Sequence, residues 1–215
     1  MQPYQQQFIE LALSHQVLTF GDFTLKSGRK SPYFFNMGLF NTGASLARLG
    51  EFYVRAIQNA GLEFDQVFGP AYKGIPLVSS VAIAFDKLLQ KDMPYSFNRK
   101  EAKDHGEGGL IVGAQLSGKV LIIDDVMTAG TAVKEAMGLV KQHGASVAGI
   151  VVALDRQERG ASEFSAVQEI AQQYQIPVVS IINLQNLIDY MQTAKQLDQS
   201  LLDRMLAYRE SFASK

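Results

Sequence analysis

The sequence contains no cysteine, and this absence removes several kinds of chemistry at once. Disulfide bonds, thiolate catalysis and cysteine-ligated metal sites are excluded, because each of them requires a thiol. The chain also has almost no net charge, since 20 lysines and arginines stand against 21 aspartates and glutamates. No overall field therefore attracts nucleic acid or an anionic membrane, and local clusters of charge become the informative feature.

Little in the sequence would direct the chain to a membrane. The first residues lack the basic start and apolar stretch of a signal peptide. The longest strongly apolar run, at about 147–154, is too short to cross a bilayer. We therefore expect a cytoplasmic protein that binds neither membrane nor nucleic acid. With 215 residues, 47% of them hydrophobic, a single self-sufficient domain over 1–215 is expected.

The spacing of apolar residues predicts a small N-terminal cap, approximately residues 1–40, followed by alternating helices and strands. The cap is predicted to contain an amphipathic helix over 4–15 and two short strands within 23–35. Further helices are predicted around 46–57, 75–89, 133–140 and 167–174, a helical tail over 184–212, and strands at 66–69, 95–99, 119–124, 147–154 and 178–182. This alternation predicts an α/β fold with a central, mostly parallel sheet flanked by helices. Ligands bind such sheets beyond the carboxyl ends of the strands.

The most specific segment is 120–132, Val-Leu-Ile-Ile-Asp-Asp-Val-Met-Thr-Ala-Gly-Thr-Ala. A buried strand ends in Asp124 and Asp125, and a loop of small residues then leads into a helix. N–H groups and hydroxyls over 128–131 suit a phosphate at the helix N-terminus, whereas the two carboxylates suit sugar hydroxyls or a magnesium shell. An isolated Asp-Asp pair is more often a turn and helix cap. The whole pattern predicts a site for ribose 5-phosphate.

Two other nucleotide-binding motifs are absent. A Walker loop requires Gly-x4-Gly-Lys-Ser/Thr, which the sequence lacks. Gly106-Glu-Gly108 begins a dinucleotide fingerprint, but Ile111 stands where its third glycine belongs. Neither class of nucleotide site is therefore expected.

Segment 120–132 resembles the phosphoribosyl pyrophosphate (PRPP) motif of the type I phosphoribosyltransferases. Nearly the whole chain resembles, more narrowly, the bacterial orotate phosphoribosyltransferases. The blocks that carry this resemblance are 20–40, 69–74, 97–109 and 155–160. It implies the type I phosphoribosyltransferase fold with an N-terminal hood, and an enzyme that makes orotidine 5′-phosphate and pyrophosphate from orotate and PRPP, a step toward UMP. It also implies Mg²⁺ as cofactor and a homodimer with shared active sites.

The resemblance assigns roles residue by residue. Residues implied to bind PRPP are Lys26, Tyr72, Lys73, Arg99, Lys100, Lys103, His105 and the run Asp124, Asp125, Val126, Met127, Thr128, Ala129, Gly130, Thr131 and Ala132. Residues implied to bind orotate are Lys26, Phe34, Phe35, Thr128 and Arg156. The implied catalytic residues are Lys103, His105, Asp124 and Asp125, with no dedicated protein ligands for the metal. No residue is forced into the role of nucleophile, so catalysis is expected to rest on positioning and on stabilising the departing pyrophosphate.

Several of these residues also have an ordinary structural interpretation. A lysine on a loop, such as Lys73, is usually only solvated. Phe34 and Phe35 are typical of strand core. The polar, glycine-rich segment 98–109 has the composition of a surface loop with a solvated charge run. It is also typical of an active-site lid, whose cations would bind pyrophosphate. Arg156 is a planar fork after a predicted strand, well matched to a carboxylate.

Two other functions are compatible with parts of the pattern. A purine phosphoribosyltransferase performs the same chemistry on another base, but it needs neither an arginine placed for a carboxylate nor Lys26 in the cap. A non-enzymatic regulator that senses PRPP and binds nucleic acid would be expected to show a basic face or an added helix-turn-helix. The balanced charge and the lack of a spare domain count against the regulator.

Overall fold

The computed structural model describes residues 1–25, 27–103, 109–127, 130–160, 162–193 and 198–214, with only the backbone of residues 102 and 103. Its helices are α1 Pro3–Ser14, α2 Gly43–Ala60, α3 Gly74–Leu89, α4 Thr131–Gln142, α5 Ala166–Tyr174, α6 Leu184–Thr193 and α7 Gln199–Phe212. Its strands are β1 Leu18–Thr24, β2 Lys30–Phe35, β3 Gln66–Gly69, β4 Tyr95–Lys103, β5 Gly109–Gly113, β6 Lys119–Ile123, β7 Ser146–Asp155 and β8 Val178–Asn183. The predicted alternation of helices and strands is confirmed.

The N-terminal residues form a cap made of α1 and an antiparallel hairpin of β1 and β2. The apolar face of α1 buries Phe8, Ile9 and Ala12, and Phe8 packs on Phe35 of the hairpin. A short 3-10 helix, Met37–Leu39, then leads into α2. The cap thus shares its core with the rest of the chain.

The main sheet has six strands in the order β5-β4-β3-β6-β7-β8. Strands β4, β3, β6, β7 and β8 are parallel, and β5 runs antiparallel to β4 at one edge. Two apolar clusters cover its faces, one built on α1, α2, α3, α6 and α7 and the other on α4 and α5. This is the arrangement expected of a doubly covered α/β sheet.

Local signals explain the bounds of α2. Thr42 caps its N-terminus by accepting a hydrogen bond from the Ser45 N–H, and Gly61 ends it in a left-handed conformation. Within α2, Gly50 lies so close to α3 that an added Cβ would stand 2.4 Å from the Ser80 carbonyl oxygen. Glycine at this position therefore sets the close packing of the two helices.

One prediction about the architecture was wrong. Strand β5 was not expected, and β4 continues to Lys103, so part of the polar segment over 98–109 is strand. The C-terminal region, predicted to be helical over 184–212, forms the two helices α6 and α7. Within the described ranges, no helix is both long and apolar enough to cross a membrane.

Helix α7 packs its C-terminal end on both the hairpin and the segment after β7. The ring of Tyr208 meets the ring of Tyr33 edge-on, with centroids 6.1 Å apart. The Arg159 N–H donates to the Phe212 carbonyl oxygen at 2.9 Å, and Arg159 Nη2 donates to the Ser211 carbonyl oxygen at 2.7 Å. Helix α7 therefore joins two parts of the chain that are far apart in sequence.

Candidate active site

The strand order places a crevice at the carboxyl ends of β3 and β6. These strands are neighbours in the sheet, but the chain leaves β3 toward β4 on one side and leaves β6 toward β7 on the other. The connections therefore diverge and leave space between them, which is where ligands bind in open parallel sheets. The loops that follow β3 and β6 are two of the segments that the sequence predicts to bind PRPP.

The loop after β3 is tightly folded. An added Cβ on Gly69 would lie 2.1 Å from the Gly74 carbonyl oxygen, so only glycine allows the two ends of the loop to approach. The side chain of Asn98, on β4, accepts a hydrogen bond from the Ala71 N–H at 2.9 Å. The Ala71–Tyr72 peptide bond is cis, and the Tyr72 side chain is 71% exposed. The loop thus presents Tyr72 and Lys73 outward from a fixed base.

Asp124 and Asp125 follow β6 and occupy different environments. Asp124 is only 8% exposed, and its carboxylate oxygen Oδ1 accepts a hydrogen bond from the Asp125 N–H at 2.9 Å. Burial, and then the negative charge of Asp125, raise the pKa of Asp124 to about 6. Asp125 instead accepts a hydrogen bond from the ammonium of Lys73, which links it to the loop after β3.

The backbone of this segment is anchored on both sides. The buried hydroxyl of Tyr53, from α2, donates to the Asp124 carbonyl oxygen at 2.7 Å. A carbonyl oxygen of strand β7 accepts a hydrogen bond from the Asp124 N–H, and an N–H group of the same strand donates to the Asp125 carbonyl oxygen. Val126 pairs with Leu154 of β7. The two carboxyl groups therefore stand on a rigid support, as an electrostatically preorganised site requires.

The N-terminus of α4 completes the phosphate side. Gly130, at the helix N-cap, has a left-handed backbone with φ of 68°, and an added Cβ would meet Ile170. A cavity of about 260 Å³ lies at this end of the helix, lined by Asp124, Val126, Met127, Gly130, Thr131, Ala132 and Val133. Met127 itself is buried in the core beneath the loop. Free N–H groups at a helix N-terminus attract a phosphate.

Arg156 follows β7, the next strand along this edge of the sheet. Its guanidinium lies 4.2 Å above the ring of Tyr33, and its side chain is only 12% exposed. Nε donates to Glu158 Oε1 at 2.7 Å, and Nη2 donates to the hydroxyls of Ser31 and Tyr208 at 3.1 and 3.2 Å. The predicted carboxylate-binding arginine is thus already held by three protein groups.

The same network reaches the hairpin through Arg29. Its Nη1 donates to Glu158 Oε2 at 2.7 Å, and its guanidinium lies 4.5 Å from the ring centroid of Phe212. The Tyr208 hydroxyl donates to Glu158 Oε1 at 2.6 Å. Glu158 therefore takes hydrogen bonds from two guanidiniums and one hydroxyl.

Phe34 and Phe35 do not lie together. They are consecutive residues of β2 and therefore project from opposite faces of the hairpin. Phe35 packs toward the core against Phe8, while Phe34 is 40% exposed and stacks on Phe23 with centroids 5.5 Å apart. The assignment of both residues to the pyrimidine stays a prediction.

The predicted lid residues are only partly described. Arg99 and Lys100 lie on β4, where Arg99 Nη1 donates to the Gly109 carbonyl oxygen of β5 at 3.3 Å and Lys100 is exposed. Lys26, His105, Thr128 and Ala129, and the side chain of Lys103, lie outside the described residues. Their assigned roles remain predictions.

The partners of Arg156 were not found from the sequence. Glu158, Ser31 and Tyr208 belong to three segments, and a pattern in one segment carries no information on which distant side chain it will meet. Gln157, a non-glycine residue with φ of 51°, separates Arg156 from Glu158. Such a conformation is uncommon outside glycine, and nothing in the local sequence indicates it.

Comparison with known proteins agrees with this geometry. The profile of the phosphoribosyl transferase domain matches residues 38–177, so the fold and the site define a phosphoribosyltransferase. The orotate phosphoribosyltransferase of Salmonella agona (strain SL483) is 57% identical over 212 residues, 99% of each chain. The crystal structure of the Francisella tularensis orotate phosphoribosyltransferase has a TM-score of 0.89 and 47% identity, and the match covers 97% of this chain and 100% of that one. The chain belongs to the orotate phosphoribosyltransferase family.

More distant structures share the fold. The Mycobacterium tuberculosis orotate phosphoribosyltransferase in complex with PRPP is 20% identical with a TM-score of 0.64, covering 86% of this chain and 99% of that one. An adenine phosphoribosyltransferase from Thermoanaerobacter pseudethanolicus is 13% identical with a TM-score of 0.53, covering 82% and 99%. The predicted type I phosphoribosyltransferase fold is thus confirmed.

Proposed function

We propose that the protein transfers ribose 5-phosphate from PRPP to orotate, giving orotidine 5′-phosphate and pyrophosphate for UMP synthesis. The observation that carries this proposal is the placement of two unlike sites after the neighbouring strands β6 and β7. The segment Asp124–Ala132 offers carboxylates and a helix N-terminus to the ribose phosphate. Arg156 offers a guanidinium to the carboxylate of orotate.

The described residues act on PRPP by position and charge. The N-terminus of α4 holds the 5′-phosphate, while Asp124 and Asp125 face the ribose hydroxyls. Lys73 is paired with Asp125, and its exposed side chain would turn to pyrophosphate oxygens when PRPP binds. As the bond to pyrophosphate breaks, the sugar carbon gains positive charge, which the neighbouring carboxylates stabilise.

The donors at the crevice fit a Mg²⁺ ion that arrives with PRPP. Asp124 and Asp125 are hard oxygen ligands of the kind that Mg²⁺ prefers. Across the described part of the chain, no group of three or more His, Asp or Glu side chains could form a metal site by itself. We infer that Asp124 and Asp125 would lie beside a metal held mainly by substrate and water. Bound there, Mg²⁺ would offset the charge of the departing pyrophosphate.

The proposal of a homodimer follows from membership of the family. Pro76 and Ile83 are exposed on the outer side of α3, two helical turns apart, and Ile83 is 67% exposed beside the charged residues Asp86 and Lys87. Tyr72, also exposed, lies two residues before the helix. A second copy seated here would adjoin the PRPP loop, so shared active sites are consistent with this face.

One assay tests the proposed reaction directly. Pyrophosphate release is measured with PRPP and Mg²⁺ in the presence of orotate, uracil or hypoxanthine. We expect release with orotate, and little with uracil, which lacks the carboxylate that Arg156 would bind. Release with hypoxanthine in preference to orotate would identify a purine enzyme. No release with any base would contradict the proposed activity.

A hybrid experiment tests the shared site. Lys103→Ala and Asp125→Asn, each expected to be nearly inactive, are unfolded together and refolded. If Arg99, Lys103 and His105 of one subunit act in the partner's site, a hybrid dimer has one site with both defects and one intact. Random pairing then restores about a quarter of wild-type activity. No recovery, with hybrids demonstrated by mass spectrometry of tagged subunits, would show that each chain builds its own site.

A further inference from the structure

The orientation of Arg156 is fixed by groups from three parts of the fold. Three of its five N–H groups are used: one on Nε by Glu158 Oε1 and two on Nη2 by the hydroxyls of Ser31 and Tyr208. The ring of Tyr33 supports the flat face of the guanidinium. Among the residues that the structure describes, nothing accepts a hydrogen bond from Nη1. The protein therefore fixes one end of the fork and leaves the other available to a ligand.

The net charge of the cluster formed by Arg156, Glu158 and their hydrogen-bond partners depends on a second arginine, Arg29. A single pair of Arg156 and Glu158 would be neutral, and would attract an anion only weakly. Glu158 is shared between two arginines, however, because its second oxygen accepts a hydrogen bond from Arg29. Asp155, directly before Arg156, is a second largely buried carboxyl, and the charge of Glu158 helps to raise its pKa. The two guanidiniums therefore balance two acidic groups, and without Arg29 the single charge of Arg156 would be outweighed.

We propose that Tyr208 is a positioning residue for Arg156, and that Arg29 maintains the positive charge with which Arg156 binds the carboxylate of orotate. This inference rests on the proposed function, since it takes orotate as the ligand of Arg156. Neither residue needs to touch orotate. The hydroxyl of Tyr208 bridges Glu158 and Arg156, and Arg29 acts through Glu158.

The proposal gives α7 a part in base recognition. Tyr208 lies on this helix, and the end of the helix is bonded to the segment after β7 through the two hydrogen bonds of Arg159 and one from the Ser214 N–H to the Gln157 carbonyl oxygen. A displacement of α7 would therefore move Tyr208 away from Arg156. The phosphate side, built on β3, β6 and α4, has no described hydrogen bond to α7. Changes in the cluster should accordingly affect orotate and spare PRPP.

Tyr208→Phe is the sharpest test, because it removes only the bridging oxygen. We expect the KM for orotate to rise by roughly 3- to 10-fold, the usual effect of losing one or two hydrogen bonds, with the KM for PRPP unchanged. Tyr190→Phe on α6 is the matched control. Its hydroxyl makes no hydrogen bond within the described ranges, and it lies outside the cluster, so both KM values should stay at the wild-type level.

Arg29→Gln tests the charge. We expect the KM for orotate to rise several-fold, because Arg156 is then left with two acidic neighbours, Asp155 and Glu158. Arg204→Gln is its control: Arg204 lies on α7, pairs with Asp22 of the hairpin at 2.8 Å, and has no described hydrogen bond to Arg156 or Glu158. This control also removes one arginine charge and should leave the KM for orotate unchanged.

The outcomes separate this inference from the proposed function. Failure of the wild-type enzyme to use orotate would overturn the proposed function itself. A wild-type enzyme that uses orotate, with Tyr208→Phe and Arg29→Gln matching their controls, would overturn the inference alone. A fall in melting temperature accompanied by equal changes in both KM values would show a purely structural cluster, and would also overturn it.

Discussion

The ammonium of Lys73 is bonded to the carboxylate of Asp125, and this contact joins the loops after β3 and β6 across the crevice. The two residues are far apart in sequence and meet because β3 and β6 are neighbours in the sheet. The contact pairs the two charges with each other. If PRPP binds here as proposed, it would replace Lys73 at Asp125, or Asp125 at Lys73.

Asp125→Asn should leave the fold intact while damaging the use of PRPP. The ion pair that it removes is exposed on the lysine side, and such pairs contribute little, about 0–1 kcal/mol. We expect a melting temperature within a few degrees of wild type, together with a large loss of PRPP and Mg²⁺ use. A strongly lowered melting temperature would instead show that Asp125 is a structural turn residue.

Asp124→Asn should change how stability depends on pH. The pKa of Asp124 is raised from 3.8 to about 6, so the folded state holds this proton more tightly than the unfolded state. Its contribution to stability is fully present below about pH 4 and is lost as the pH rises through about 6. Asparagine keeps an acceptor for the Asp125 N–H without the charge. Relative to wild type, the variant should therefore gain up to about 3 kcal/mol between pH 4 and pH 8.

Melting temperatures of wild type and Asp124→Asn across this pH range provide the measurement. Asp92→Asn, at an exposed position, serves as the control for a general effect of charge. A constant difference between wild type and Asp124→Asn at all pH values would show that Asp124 does not titrate in this window. We also expect the variant to lose PRPP use, because it lacks the charge proposed to face the ribose hydroxyls. A gain in stability together with a loss of activity is common when a functional carboxylate is removed.

Arg156→Ala should weaken orotate use far more than PRPP use. A charged hydrogen-bonded contact contributes about 1.5–3 kcal/mol, so the KM for orotate should rise by about 10- to 150-fold. The structure adds a second effect, because Glu158 and the hydroxyls of Ser31 and Tyr208 lose a buried partner. We expect a loss of roughly 1–3 kcal/mol in the free energy of unfolding.

Kinetics for Arg156→Ala are therefore measured well below its melting temperature. Arg156→Lys is the control that keeps the charge but loses the planar fork, and its KM for orotate should lie between wild type and alanine. An unchanged KM for orotate combined with a raised KM for PRPP would contradict the assigned role.

Gly69→Ala should disrupt the loop after β3 without breaking the core around it. The added methyl group would stand 2.1 Å from the Gly74 carbonyl oxygen, so the backbone must move. Since this loop carries Tyr72 and Lys73, we expect the KM for PRPP to rise more than the KM for orotate. Gly138→Ala on α4, where an added Cβ meets nothing within 4 Å, is the matched control. Equal kinetics of the two variants would show that the loop tolerates the shift.

The sequence was sufficient to predict the helices and strands that depend on local patterns of residues. Helix α2 and the buried strand before Asp124 follow from the spacing of their apolar residues. Strand β5 was missed because Gly109 and Gly113 at its ends are typical of loops, and it forms only through pairing with β4. Tertiary pairing overrides local preference at such edge strands.

The same distinction holds within the site. Asp124, Asp125 and the start of α4 form one continuous segment, so their proximity is already present in the sequence. The groups that hold Arg156 come from the hairpin, the segment after β7 and α7, and their meeting depends on the complete fold. Phe34 and Phe35 are neighbours in sequence, yet their rings lie on opposite faces of the hairpin, as the alternation along a strand requires.

The support that α7 gives to Arg156 has a consequence for synthesis of the chain. During translation, β3, β6 and α4 are synthesised well before α7, and nascent chains begin to fold from their N-terminal parts. A growing chain therefore acquires the elements that hold phosphate while the arginine for the base still lacks Tyr208. A chain that stops after α6 would lack Tyr208 in the same way, and its choice of base should be impaired.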